Sequence, residues 1–485
     1  MKFYLTILAA FSALTVWVSA EVSVLRVSST LQSYNISQPW EKQAPYNRRG
    51  LGVVIGKNQI LTTAEMVANA TFIELQTADG EKSIPATVIA VDYEANLALL
   101  AAKDPEDIKV IESMKPVELA TPSKLGETVQ VFQIEDNGMP LLTNGIIRGT
   151  DVVSTFVDGH FFLNYEIKAA MQSAPNSFTI PVLKDNKLAG LLTSYSSKDQ
   201  LLDATATEII SAFIKDAADG KYVGFPDLGV SIVRTSDENF RGWLKLTDAQ
   251  GGVFINRVQR NSSAEKAGIK VGDVILKVAD SAINRRGYYT SKNYGELYWS
   301  HLIRGTHVTG DEIQITLLRD GIELVKQVKL ERPIEGIIPS HTYGKAPRYM
   351  IKGGFVFQEL TESYLKLFGD DWKSRAPMTL LDALNHPEDY EKGKKRLVIL
   401  SRTIPTKATI GYERIRATIV TKVNGQEIPD IPALIKAFKT PGENGIHTIE
   451  LDNDIEKIYL DAETASKVEA EFLQQGLPAL SRDKE

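Results

Sequence analysis

Cysteine is absent from the 485-residue chain, which removes disulfides, thiolate metal sites and cysteine nucleophiles from consideration. Histidine is scarce. His160, His301, His307, His341, His386 and His447 are scattered, with no His-x-x-x-His pair and therefore no metal site to read. Basic runs are missing too: Lys and Arg number 55 against 61 Asp and Glu, a net charge of −6, so there is no electrostatic footprint for nucleic acid. No glycine loop has the spacing of a phosphate cradle, since Gly251-Gly252 leads straight into a strand-like run, and no cofactor is expected. Beyond the first twenty residues, no apolar run approaches the roughly 18 that a spanning helix needs.

What is present is ordinary globular composition, 43% hydrophobic and 24% charged, in a chain long enough for about three domains. The first twenty residues stand apart. Lys2 precedes an apolar stretch from Phe3 to Val18, and Val18-Ser19-Ala20 places small residues before Glu21. This pattern predicts a secretory signal peptide over 1–20, cleaved after Ala20, and hence a secreted or periplasmic protein; an uncleaved anchor is the alternative.

From residue 48 to about 220 the chain reads as mainly β with some α. Short apolar runs at Leu51–Ile55, Gln59–Thr62, Phe72–Gln76, Ala86–Val91, Leu97–Leu100, Thr128–Ile134, Gly145–Ile147, Phe161–Tyr165, Ser177–Val182 and Leu188–Thr193 predict a β-barrel or sandwich, followed by a helix over Ala204–Asp219. A second block, 225–332, opens on Leu228-Gly229-Val230 and closes on two strands flanking Asp320-Gly321, a hairpin turn. A third, 350–475, repeats this outline weakly from Gly353-Gly354-Phe355-Val356-Phe357, with helices expected at Ile431–Phe438 and Ala462–Gln475. Residues 21–47 read as an N-terminal extension and 476–485 as a polar tail.

Three segments of the first block carry a resemblance. Gly50-Leu51-Gly52-Val53-Val54-Ile55, Ile60-Leu61-Thr62-Thr63-Ala64-Glu65-Met66-Val67 and Asp92-Tyr93-Glu94-Ala95-Asn96-Leu97-Ala98-Leu99-Leu100 resemble, in order and spacing, the trypsin-fold protease domain of the HtrA (Deg) family. The second block resembles a PDZ domain of that family through Ser263-Ala264-Glu265-Lys266-Ala267-Gly268-Ile269 and Gly272-Asp273-Val274-Ile275, and the third resembles a degenerate one. The implied fold is a chymotrypsin/trypsin-like double β-barrel followed by two PDZ-like α+β domains.

Serine proteolysis needs a nucleophile, an imidazole base and a carboxylate that orients the imidazole. By the resemblance, the base position holds Glu65, the orienting position holds Asn96, and the nucleophile motif becomes Pro175-Asn176-Ser177-Phe178-Thr179-Ile180-Pro181. Anchoring on Ser177 leaves one residue too many before Pro181, and anchoring on Pro181 puts Phe178 at the nucleophile. The family's oxyanion donor falls on Pro175, which has no N–H. Phe178 and Thr179 replace glycines that let the turn approach substrate. His160 is read as a loop or strand-edge residue, and no spacing makes Lys168 a partner of Ser177. No catalytic set is therefore assigned, and Glu65, Asn96 and Ser177 are carried only as triad-equivalent positions.

The better-supported site is in the second block. PDZ domains add an extended chain to a sheet edge and hold its terminal carboxylate on backbone N–H groups. By the resemblance Leu228, Gly229 and Val230 form that turn, with Ser231 and Ile232 on the edge strand and a helix over Gly295–Ile303 as the opposite wall. The aromatic stretch from Tyr288 to Trp299 is either core or an interface anchor. The expected function is a pseudoprotease that binds peptides or unfolded chains. The alternatives are an atypical endopeptidase using Ser177, or a non-catalytic subunit of an assembly with an active paralogue. Homo- or hetero-oligomers are expected.

Overall fold

The computed structural model describes residues 22–77, 80–135, 137–171, 178–452 and 457–484. The predicted signal peptide and Pro175, Asn176 and Ser177 lie outside the described residues.

Two closed barrels come first. Strands β1 (Val24–Leu31), β2 (Tyr46–Gly56), β3 (Gln59–Thr62), β4 (Ala70–Gln76), β5 (Ser83–Asp92) and β6 (Leu97–Ala102) close in the order β1-β2-β3-β6-β5-β4. Strands β7 (Thr128–Ile134), β8 (Pro140–Val153), β9 (Phe162–Lys168), β10 (Pro181–Lys184), β11 (Lys187–Ser196) and β12 (Leu201–Ala206) close as β10-β11-β12-β9-β8-β7. A helix, Thr207–Ala217, follows.

The run Leu97–Ala102 is buried at every position, because β6 has apolar surroundings on both faces. Ala98, Leu100 and Ala102 belong to the first barrel's own core with Leu25, Val27, Val54 and Ile60. Leu97 and Leu99, with Leu51, Val53 and Leu61, join a cluster that continues into the second barrel and the first PDZ domain. Leu97 and Leu99 thus glue the barrel to its neighbours while the even-numbered residues fill it.

Residues 21–47, read from sequence as an extension, are corrected: they supply β1 and the start of β2. β1 pairs with both β2 and β4 and closes the barrel, and its alternating Leu25, Val27 and Leu31 are buried. The sequence pattern was too mixed to show it, since the outward residues of β1 are Arg, Ser and Thr. Gly145–Ile147 is part of the longer β8, and the helix predicted from Ala204 starts at Thr207, because Leu201–Ala206 is consumed as β12.

The first PDZ domain is a sheet ordered β13-β14-β15-β19-β20. It is built from β13 (Val230–Arg234), β14 (Val253–Val258), β15 (Val274–Val278), β19 (Glu312–Arg319) and β20 (Ile322–Lys329), with a short β16 (Ser281–Ala282) beside β15. The Asp320-Gly321 hairpin is as expected, both residues having positive φ, 53° and 86°. The helix expected over Gly295–Ile303 is not there. Tyr288–Ser291 (β17) and Gly295–Tyr298 (β18) pair as a hairpin, and the helix is only His301–Arg304. The physical reason is a two-residue alternation, in which Tyr289 and Leu297 face each other and are buried. Interface and core coincide here, since Tyr294 donates to Glu208 of the second barrel's helix and Tyr165 Oη donates to the same carboxylate at 3.0 Å.

The last domain is a sheet ordered β27-β26-β24-β23-β22-β21-β28, with helices Met378–Asn385, Ile431–Ala437 and Ala462–Gln474. Its strands are β21 (Tyr349–Lys352), β22 (Phe355–Glu359), β23 (Val398–Thr403), β24 (Thr418–Val423), β25 (Gln426–Glu427, beside β24), β26 (Ile446–Leu451), β27 (Ile458–Asp461) and β28 (Ser481–Arg482). The polar tail is thereby corrected as well. β28 pairs with β21, Leu477 and Leu480 pack on Tyr349 and Ile351, and the Arg482 guanidinium lies over the Tyr34 and Tyr349 rings. Among the described residues no helix is long and apolar enough to cross a membrane.

Candidate functional site

The cleft residues sit where strand ends of the two barrels meet. Glu65 occupies a single 3-10 turn, Ala64–Met66, just after β3, and Asn96 ends the turn before β6 with φ 55°. Asn96 Oδ1 accepts the Glu65 backbone N–H at 3.0 Å, so these two triad-equivalent positions are in contact. The contact is one of backbone support. Arg48 Nη1 donates to the Glu65 carbonyl at 2.7 Å and lies 3.7 Å from its carboxylate, while the guanidinium covers the Phe178 ring at 4.4 Å. Burial raises the Glu65 carboxyl above the ordinary carboxylate value; the Arg48 charge and hydrogen bonds from Asn96 and Thr63 oppose the rise.

Thr179 is fully buried, its hydroxyl 2.6 Å from that of Thr63 and 3.3 Å from that of Thr62. Leu51 N donates to the Thr179 carbonyl at 3.0 Å and Phe178 N to the Arg49 carbonyl at 3.0 Å, tying this segment to β2. Two other candidate bases are engaged elsewhere. His160 Nδ1 is 3.0 Å from Glu94, and Lys168 donates to the Asp199 carbonyl. Arg48 and the contact among the Thr62, Thr63 and Thr179 hydroxyls are not legible in the sequence. An arginine on a strand and threonines near a barrel carry no chemical signature until the strands are closed.

In the first PDZ domain the Leu228–Val230 loop turns sharply at Gly229. Gly229 has φ 74°, and a Cβ there would sit 2.3 Å from Ser262 Cβ, so glycine is required. Leu228 is buried and Val230 and Ile232 pack against the core. The Leu228 carbonyl accepts from Ala264 N at 2.9 Å and that of Gly229 from Gln259 N at 2.8 Å. β14 is β13's only strand partner among the described residues, with Val230 opposite Val258 and Ser231 opposite Arg257.

Gly229, Val230 and Ser231 line a cavity of about 760 Å³ where both barrels, the first PDZ domain and the last domain meet, walled also by His160, Arg304 and Leu384. Burial alone would raise Glu94 in this wall, but the hydrogen bond and charge of His160, helped by Arg304 and Arg332, hold its carboxyl at about 2. Arg304 pairs with Asp227, the residue before Leu228. Asp227 was readable, since Asp-x-Gly is a local turn signal, but its arginine lies 77 residues away.

A six-stranded barrel pair with a cleft, followed by an edge-strand loop of this kind, defines a trypsin-like peptidase fold joined to PDZ domains. Family models agree: a trypsin-like peptidase domain matches residues 50–175, and PDZ domains match 226–330 and 338–477. With a trypsin-like peptidase domain followed by two PDZ domains, the chain is homologous to the Do-like proteases and DegP of the HtrA/Deg family. It is 26% identical over 435 residues to Protease Do-like 4, mitochondrial, of Arabidopsis thaliana, covering 89% of this chain and 79% of that protein. To the periplasmic serine endoprotease DegP of Escherichia coli it is 24% identical over 314 residues, 62% of this chain and 60% of that one. Among solved structures, an HtrA-type protease described as AlgWS227A with decapeptide aligns at 18% identity and TM-score 0.49, over 64% of this chain and 94% of that one.

Proposed function

We propose that this protein is an exported, non-cleaving member of its family that binds peptides or unfolded chains through the first PDZ domain, as a scaffold, regulator or quality-control factor. The observation that carries the reading is Glu65 in the base position, its carboxylate beside Arg48 and its backbone held by Asn96. Glutamate cannot accept the serine proton and then act as a cationic acid, and a neutral amide cannot stabilise an imidazolium. Phe178 and Thr179 fill ground that the family leaves to glycine. Export rests on residues 1–20. Assembly, with copies of itself or with an active paralogue, rests on kinship.

One observation favours a second reading. Burial moves the Glu65 carboxyl upward, the direction a general base for Ser177 near neutral pH requires. Cleavage of an unfolded protein substrate separates the two, with Ser177→Ala alongside and a competent HtrA-type protease as control. The expected outcome is turnover no higher than that of Ser177→Ala. Turnover abolished by Ser177→Ala overturns the non-cleaving reading and makes Glu65→Gln the next variant.

A further inference from the structure

The ligand loop of the first PDZ domain already holds a carboxylate, and it is the protein's own. Asp227 Oδ1 accepts the Gly229 N–H at 2.6 Å, and its other oxygen is paired with the buried guanidinium of Arg304. Asp227 is itself fixed from behind: its N–H donates to the Glu331 carbonyl at 3.0 Å and its carbonyl accepts from Ser263 Oγ at 2.9 Å. A backbone N–H has one proton to give, so a ligand's terminal carboxylate would have to displace Asp227 from Gly229 and stand beside a like charge. The strand edge beyond is in a different state. The Gly229 carbonyl is turned to Gln259, so the alternation of an antiparallel ladder turns the N–H and C=O of Val230 toward the open edge.

We propose that this domain takes internal extended segments of a protein chain onto the β13 edge, and that Asp227 occupies the place of a terminal carboxylate and so removes selection for a free C-terminus. The inference rests on the peptide-binding reading above. It makes Asp227 a specificity determinant and gives the ligand class: backbone presented as a strand, as in an unfolded or looped-out segment, rather than a chain end.

The test is fluorescence anisotropy of the purified protein with one labelled decapeptide ending in three apolar residues, made as the free acid and as the C-terminal amide. The wild type should bind the two forms within about threefold. Asp227→Ala should bind the free acid at least tenfold more tightly than the wild type and leave the amide little changed. Asp227→Asn keeps an acceptor for Gly229 and guards against a loop that fails to fold; it should shift the same way by a smaller factor. A wild-type preference of tenfold or more for the free acid, or no gain for the acid in either variant, overturns this inference alone. Failure of the wild type to bind either form overturns it together with the peptide-binding reading.

Discussion

In the cleft between the barrels, Glu65, Asn96 and Thr179 have each found a partner inside the protein: Glu65 has Arg48, Asn96 has the Glu65 amide, and Thr179 has Thr62 and Thr63. At the Leu228–Val230 loop of the first PDZ domain the Gly229 N–H is taken up by Asp227, and among the described residues β13 has a strand partner on one side only. The barrels are held by apolar clusters that do not involve Glu65, Asn96 or Thr179, so their chemistry is free to change while the fold persists. The loop has no such freedom. Gly229 lies against Ser262, the residue that caps the helix Ser263–Lys266, so its conformation is part of the domain's own packing.

The largest expected effect falls on the loop. Gly229→Val forces a β-branched residue to φ 74° and drives Cβ into Ser262, for an expected loss of about 3 kcal/mol from backbone strain and cap disruption. Urea unfolding followed by the first PDZ domain's tryptophans should show it; a loss below 1 kcal/mol would mean that the loop adapts and the contrast with the cleft is weaker than drawn.

Next comes acid. Burial lowers His301, whose Nδ1 lies 2.5 Å from Tyr289 Oη, from 6.5 to about 4. The unfolded chain takes a proton that the folded one refuses, so stability falls as pH drops through this window, by about 2 kcal/mol between pH 7 and pH 5. Glu65 works in the opposite sense. Its raised carboxyl retains a proton that the unfolded chain loses above pH 4.5, so its contribution declines as pH rises. Mild acid should therefore weaken the PDZ domain while relieving the cleft. His301→Phe should flatten the first slope and Glu65→Gln the second; an unchanged slope in either variant would remove that residue from the account.

The smallest expected effect is none at all. Glu65→His combined with Asn96→Asp places histidine and aspartate where the proposed reading puts the base and its orienting group, yet turnover should stay at the Ser177→Ala level, because Phe178 and Thr179 remain. Measurable cleavage by this variant would mean that the cleft lacked only its base and orienting carboxylate.

Much of this was legible along the chain. The apolar run at Leu97, the glycine of the loop and the Asp320-Gly321 hairpin each follow from local pattern, and three spaced segments carried the family. Residues 24–31 give no clear strand pattern because half of this barrel strand is polar, and the hairpin from Tyr288 to Tyr298 is hidden in the sequence because aromatic content does not distinguish a hairpin from a helix. Arg48 and Arg304 carry no signal at all in the sequence.

By itself, then, the sequence determined the fold class and the order of the peptidase-like and PDZ domains, since these depend on residue type and on spacing along the chain. Which groups Glu65, Asn96 and Thr179 contact, and that Asp227 is paired with an arginine 77 residues away beside the Leu228–Val230 loop, was decided only by tertiary structure, because charge pairing and burial depend on distance in space, which no local pattern encodes.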